Sequence, residues 1–233
     1  MSASKRSSKR HRPKGVILIH EDRDTLVVEK PPGLLTIGTD RVRSRTLYSK
    51  LTDYVRKGNC KSRERVFIVH RLDREASGIL VFARHEQAKS CLQDQWQAVE
   101  KKYLAVVHGT VIPPAETITS YLVENHAHVV YATTNAAEGK LSRTAYRVLR
   151  QGKALSLLEI DLLTGRKHQI RVHLAQKGHP IVGDKKYGRT DRTHKRLALH
   201  ATWLSFNHPS HCERVTFESK APKYFSDLMG RAD

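Results

Sequence analysis

His70-Arg71-Leu72-Asp73-Arg74-Glu75-Ala76-Ser77-Gly78 sets a dense group of charged residues between two apolar, β-prone runs, Arg65–Val69 and Ile79–Ala83. A hairpin turn between such runs needs only a short Gly/Asn pair, so the length and charge of this loop ask for another purpose. Polar loops held on a rigid sheet are where catalytic and binding groups are commonly presented. Asp73 has an arginine on either side, Arg71 and Arg74, and a guanidinium lying close would favour its carboxylate form. The competing reading of these residue types is a surface loop stitched by salt bridges, which contribute little when exposed.

Strand patterns dominate on both sides of the loop. Gly15–His20 and Thr25–Lys30 form β-rich runs about the polar turn Glu21-Asp22-Arg23-Asp24, a hairpin signal, and Pro31-Pro32-Gly33 then breaks the pattern. Downstream, Ala88, Cys91, Leu92 and Trp96 recur at spacings of three and four and predict a helix. Strands are expected at Tyr103–Val107, within Thr117–Thr133, at Arg143–Leu149 and at Ala154–Leu162, with turns at Gly139-Lys140 and Gln151-Gly152. Ile170, His173, Leu174 and Lys177 line a short helix that stops at Gly178, and Ala198–Phe206, Arg214–Glu218 and a helix near Tyr224–Met229 close the chain. With neither a fixed repeat nor an obvious linker, residues 15–233 read as one α+β domain. Its expected frame is an extensive mixed, mostly antiparallel sheet with flanking helices. Residues 1–14, MSASKRSSKRHRPK, are a low-complexity basic tail: either a solvated, disordered end or an arm that settles on phosphates.

Charge narrows the partner. Lys and Arg total 42 against 23 acidic residues, a net +19, and such a field attracts polyanions, of which nucleic acid is the commonest in a cytoplasm. No run approaches the roughly 20 apolar residues of a membrane helix. Val16–Ile19 is too short for a secretory signal core, and a cytoplasmic protein is expected. Cys60, Cys91 and Cys212 are scattered and odd in number, fitting neither a disulfide framework nor a zinc knuckle. The closest histidine pairs, His126-x-His128 and His208-x-x-His211, have no cysteine or carboxylate at a recognised ligand spacing. Phosphate-cradling and dinucleotide glycine loops are missing from the sequence as well. Chemistry without a bound metal or cofactor is therefore expected.

A second polar segment is Leu163-Thr164-Gly165-Arg166-Lys167-His168-Gln169-Ile170-Arg171-Val172-His173. A strand ends there at a Thr-Gly turn and a short helix begins, loaded with donors suited to phosphate or carboxylate. His168 and His173 are five apart, not the four that would put two ligands on one helix face, and read as packing or RNA contacts. Gly178-His179-Pro180-Ile181-Val182-Gly183-Asp184 and Tyr187-Gly188 form a glycine-punctuated loop, by itself a weak signal.

Together these segments resemble the RluA-type RNA pseudouridine synthases, in the family's order. Ile17–Gly33 resembles its N-terminal hairpin, His70–Gly78 with Ile79–Ala83 its catalytic motif, Lys102–Gly109 its tyrosine block, and Leu163–His173 with Gly178–Gly188 its third motif. The resemblance spans about residues 16–206. It departs at Ala76, where the family usually has Thr, and in lacking the small RNA-binding module many relatives carry at the N-terminus. The resemblance implies an isomerase of rRNA or tRNA that needs no cofactor. With no apolar interface helix apparent in the sequence, a monomer is expected. Asp73 would be the nucleophile at ribose C1′, or would assist a glycal there. Arg171 would pair with Asp73 and keep it ionised, and Tyr103 would stack on the uracil with its hydroxyl available for proton movement at C5. Arg71 would help extrude the nucleotide, and Arg74, Arg166, Lys167 and His168 would contact the RNA.

Overall fold

The computed structural model describes residues 13–38, 44–59, 61–188 and 193–230. The basic tail, apart from Pro13 and Lys14, and Cys60 lie outside them. In chain order the elements are β1 (Ile17–Glu21), β2 (Thr25–Lys30), α1 (Leu47–Val55), β3 (Phe67–Ile68), β4 (Ser77–Ala83), α2 (Glu86–Asp94), β5 (Glu100–His108), β6 (Ala115–Glu124), β7 (Val130–Thr133), β8 (Lys140–Gln151), β9 (Leu155–Leu162), α3 (Gln169–Gln176), β10 (Leu199–Asn207), β11 (Arg214–Glu218) and α4 (Lys223–Met229). One sheet takes all the strands in the order β1-β2-β4-β10-β5-β9-β8-β6-β7, with β11 on β10 and β3 on β4. Only β4 and β10 run parallel, so the mixed, mostly antiparallel expectation holds.

The apolar runs explain which strands are central. All seven residues of β4 are buried, as expected of a strand covered on both faces. On one face Leu26, Val28, Leu80 and Phe82 pack with Leu47, Leu51 and Tyr54 of α1. On the other, Val27, Ile79 and Val81 pack with Ala88 and Leu92 of α2. Each such side chain contributes about 1.5–3 kcal/mol when fully buried. Where β4 meets β10, Gly78 (φ +116) faces Ala201, and a Cβ there would sit 2.2 Å from the Ala201 carbonyl oxygen. Only glycine lets the charged loop enter the sheet at this point.

Helix α1 has no counterpart in the sequence-based expectations. Its apolar positions, Leu47, Leu51, Tyr54 and Val55, do follow a helical stripe, and Thr46 caps it reciprocally with Ser49. The stretch expected within Thr117–Thr133 divides at a turn into β6 and β7, because Asn125 Oδ1 accepts the Val129 amide at 2.9 Å and bends the chain back. Trp96 lies past the end of α2, and the run Arg65–Val69 shortens to the two residues of β3. Among the described residues no helix is long and apolar enough to cross a membrane.

Candidate active site

The loop before β4 is tied down on both sides of Asp73 by the segment after β2. Lys30 ends β2 fully buried, and its ammonium donates to the carbonyls of Pro31 and Leu34 at 2.9 Å and of Arg74 at 3.0 Å. Burial pushes this lysine down to about 8, against the pull of Glu75 and Asp73. The Gly33 amide also donates to the Arg74 carbonyl, at 2.9 Å. On the other side, the Thr36 hydroxyl donates to the Leu72 carbonyl at 2.9 Å and accepts the Leu72 amide at 3.3 Å. The backbone carrying Asp73 is thus fixed before any substrate arrives.

Asp73 meets α3 through Arg171, whose Nη1 donates to Asp73 Oδ2 at 2.9 Å. The other edge of the guanidinium grips Asp184, Nε to Oδ2 and Nη2 to Oδ1, both at 2.8 Å. Asp184 is buried, and its Oδ1 also accepts the Lys186 and Tyr187 amides at 2.9 and 3.1 Å. Burial alone would raise the Asp184 carboxyl, but Arg171 and these amides outweigh it and hold it below the usual carboxylate range. Among the described residues no hydrogen bond reaches Asp73 Oδ1, so one oxygen is held and the other is open.

His168 is the residue just before α3 and takes a left-handed backbone (φ 54), a conformation costly outside glycine. Its Nε2 is 3.8 Å from Asp73 Oδ2, and its Nδ1 meets the Tyr187 hydroxyl at 2.8 Å. That hydroxyl also accepts the Val130 amide at 3.2 Å, which fixes the ring with Nε2 on the Asp73 side. Burial, with help from Arg171, Lys186 and Lys167, pushes the imidazole down to about 4 despite Asp73, so it is neutral at neutral pH. Gln169 sets this entry. It accepts from the Thr164 hydroxyl at 2.8 Å and the Arg166 amide at 3.0 Å, and it donates to the Arg143 carbonyl at 3.0 Å.

Asp73, His168, Gln169 and Arg171 border a cleft of about 290 Å³. Tyr103, 7% exposed on β5, forms part of its wall, and burial together with the Asp73 carboxylate raises its phenol, which stays protonated at neutral pH. Arg71, Arg166, Lys167 and His168 also line the cleft. Lys167 is at the same time paired with Glu124. Arg74 is outside the wall, exposed, donating to the Gly33 carbonyl at 3.1 Å. Ala76 is a buried part of the lining. His173 is a packing histidine, between the hydroxyls of Thr144 and Ser120 at 2.9 Å each.

Several residues here escape the sequence reading. Asp184 and Tyr187 sit in the glycine-punctuated loop, where the acid between Gly183 and two lysines was the available signal. Lys30 announces itself only as a lysine closing an apolar strand. His70, Trp96 and Lys101 form a further part of the lining. Elsewhere, Asp22, Asp24 and His208 bring ligand-type atoms within 4.8 Å of one another. This group joins positions far apart in sequence, which no local spacing reveals. It fits a metal poorly: His208 Nδ1 accepts the Ser210 amide at 3.3 Å, so the ring's proton lies on Nε2, donated to Asp22 at 3.0 Å.

Comparison with known proteins identifies the family. The family RNA pseudouridylate synthase matches residues 24–176. Ribosomal large subunit pseudouridine synthase D of Xanthomonas campestris is 35% identical over 228 residues, covering 91% of this chain and 68% of the relative. The uncharacterized RNA pseudouridine synthase YlyB of Bacillus subtilis is 34% identical over 221 residues, 93% of this chain and 73% of the relative. Human RNA Pseudouridylate Synthase Domain Containing 1 superposes with a TM-score of 0.72 at 26% identity, covering 98% of this chain and 89% of that one. Since the family match runs from the β1–β2 turn to the end of α3, across the Asp73 loop, Tyr103 and Arg171, the chain belongs to the RNA pseudouridylate synthases, isomerases that convert uridine in RNA to pseudouridine.

Proposed function

We propose that Asp73 is the nucleophile of this synthase and that its substrate is a uridine of large-subunit ribosomal RNA. The observation that carries the first part is the asymmetry of the Asp73 carboxylate. Arg171 takes Oδ2 at 2.9 Å, and among the described residues nothing bonds Oδ1 of this cleft residue. The free oxygen attacks C1′ of a uridine drawn out of the RNA, or removes a neighbouring ribose proton to leave a glycal. Either way the C1′–N1 bond breaks and the uracil leaves with its electron pair. The held uracil turns and its C5 bonds to C1′, either displacing the Asp73 carboxylate from C1′ or adding to the glycal as Asp73 returns the ribose proton, after which C5 gives up its proton and N1 gains one. Nothing is oxidised or reduced. Tyr103, held protonated, stacks on the uracil and passes a proton instead of acting as a phenolate base. Support for the RNA class is the name carried by relatives from Xanthomonas campestris and Pseudomonas aeruginosa, ribosomal large subunit pseudouridine synthase D.

The test is tritium release from RNA labelled at uracil C5, with purified protein and neither metal nor nucleotide added. Large-subunit rRNA and tRNA from cells lacking the gene are offered separately. Release from the rRNA is expected with the wild type. Asp73→Asn is expected to lower turnover by on the order of 10³-fold or more, while RNA affinity is unchanged or improved by removal of a like charge. Release from tRNA alone would overturn the substrate. An active Asp73→Asn, or one that loses RNA binding, would overturn the nucleophile.

A further inference from the structure

Among the described residues three buried cations border or support the cleft, and only one of them has no answering charge or full set of acceptors. Arg171 is met by Asp73 and Asp184. Lys30 spends its three N–H bonds on three carbonyls. Lys101, 9% exposed on β5, donates only to the Trp96 carbonyl at 3.2 Å, with its ammonium 5.1 Å from the Trp96 ring centre. Among the described residues no carboxylate pairs with it. Its other neighbour, His70, packs its ring tilted against Trp96 with centroids 4.5 Å apart and accepts the Val81 amide at 3.2 Å through Nε2, so it brings no negative charge.

A buried ammonium without a counter-charge is costly. Burial pushes this one down to about 8, yet leaves it largely protonated at neutral pH. Its cost makes sense where the anion arrives from outside, and Lys101 lines the same cleft as Asp73 and Tyr103. Tyr103 and Lys101 are two residues apart on one strand, so their side chains leave the same face about 7 Å apart. Uracil and ribose are neutral, and the charge a nucleotide brings is its phosphate. We infer that Lys101 binds a phosphate flanking the target uridine, using Trp96 as a fixed backstop, and so seats the nucleotide with its base on Tyr103. The inference rests on the reading that uridine enters this cleft.

The experiment uses the full chain and C5-tritiated, in vitro transcribed large-subunit rRNA across a salt series. Lys101→Met keeps the aliphatic stem against Trp96 and removes the charge. It is expected to raise KM about 10-fold with kcat little changed. It should also lessen the slope of log kcat/KM against log salt by about 0.7–0.9, the share of one phosphate. Lys101→Arg should recover the slope. A second arm leaves the protein untouched: a neutral methylphosphonate placed 5′ or 3′ of the modified uridine should weaken the wild type about 10-fold at one position and leave Lys101→Met indifferent to it. An unchanged salt slope, or an equal methylphosphonate loss in both proteins, would overturn the role of Lys101. Asp73→Asn run alongside separates the two readings. If it is inactive while Lys101→Met keeps the wild-type slope, only the phosphate assignment falls; if it is active, the cleft itself has been misread.

Discussion

Two clusters in this molecule pair aspartates with basic side chains, and they differ in what they leave unused. Where the β1–β2 turn meets the turn after β10, Asp22 and Asp24 use all their carboxylate oxygens. Asp22 Oδ1 accepts the amides of Asp24 and Thr25, and its Oδ2 meets His20, His208 and the Thr25 hydroxyl. Asp24 takes His85 on one oxygen and Ser210 on the other. Behind the cleft wall, Asp184 is likewise fully engaged, but among the described residues Asp73 is bonded through one oxygen only. The first cluster joins three distant segments and has no acceptor to spare. The second uses one saturated aspartate to aim an arginine at an unsaturated one. Reactivity in a carboxylate is thus a matter of leftover capacity, since both clusters contain similar groups.

The strongest way to break this contrast is to remove the saturated partner in the cleft. In Asp184→Asn the Arg171 guanidinium stays buried with half of its counter-charge gone. Loss of one partner from a buried pair costs about 3–5 kcal/mol. Arg171 would also be free to turn away from Asp73, and a misplaced group costs on the order of 10²-fold in rate. Denaturant unfolding and tritium release measure the two effects. If rate and stability both survive, Asp73 alone holds Arg171 and the division of labour between the two acids is wrong.

A smaller effect is expected from the clamp behind the loop. Lys30→Met removes the donor from the Pro31 and Leu34 carbonyls, whereas the Arg74 carbonyl keeps the Gly33 amide. The cost is about 1–3 kcal/mol for buried acceptors left unmet. A loosened Asp73 backbone should lower kcat about 10-fold with KM nearly unchanged, because no RNA contact is lost. A rise in KM at constant kcat would mean that Lys30 shapes the binding surface and leaves the position of Asp73 alone.

What the sequence made legible follows from range. Periodicity within a few residues exposed β2, β4, β5 and the start of α3, and the charged interruption between β-prone runs located Asp73. Tyr103 and Arg171 came with the resemblance of the motifs. Partners set by sheet order were out of reach: Asp184 closing on Arg171, Thr36 on Leu72, and Lys30 on the Arg74 carbonyl all join segments that only the folded sheet brings together. Lys101 was hidden for a different reason. In Glu100-Lys101-Lys102-Tyr103 two lysines look alike, and alternation of the strand sends Lys102 to Glu159 and Asp161 and Lys101 into the cleft. Helix α1 was readable, with its stripe and cap both local, and shows that a short helix is easily passed over between two strands.

The saturated cluster should show itself in acid. Burial works to raise the Asp22 carboxyl, but hydrogen bonds from His20, the Thr25 and Asp24 amides and His208 outweigh it and hold it well below its ordinary 3.8. A carboxyl lowered on folding contributes stability that is fully present above the unfolded value and is lost as pH falls below it. Asp22→Asn should therefore be less stable than the wild type by about 1–2 kcal/mol at pH 7, with the group only partly shielded from solvent. That gap should shrink steadily below about pH 4 as the wild-type carboxyl gains its proton. Melting curves of the two proteins at pH 7, 5, 4 and 3 measure it. A gap that stays constant to pH 3 would mean that the turn is held by hydrogen-bond geometry and not by charge, and the likeness between the two aspartate clusters would then end at their composition.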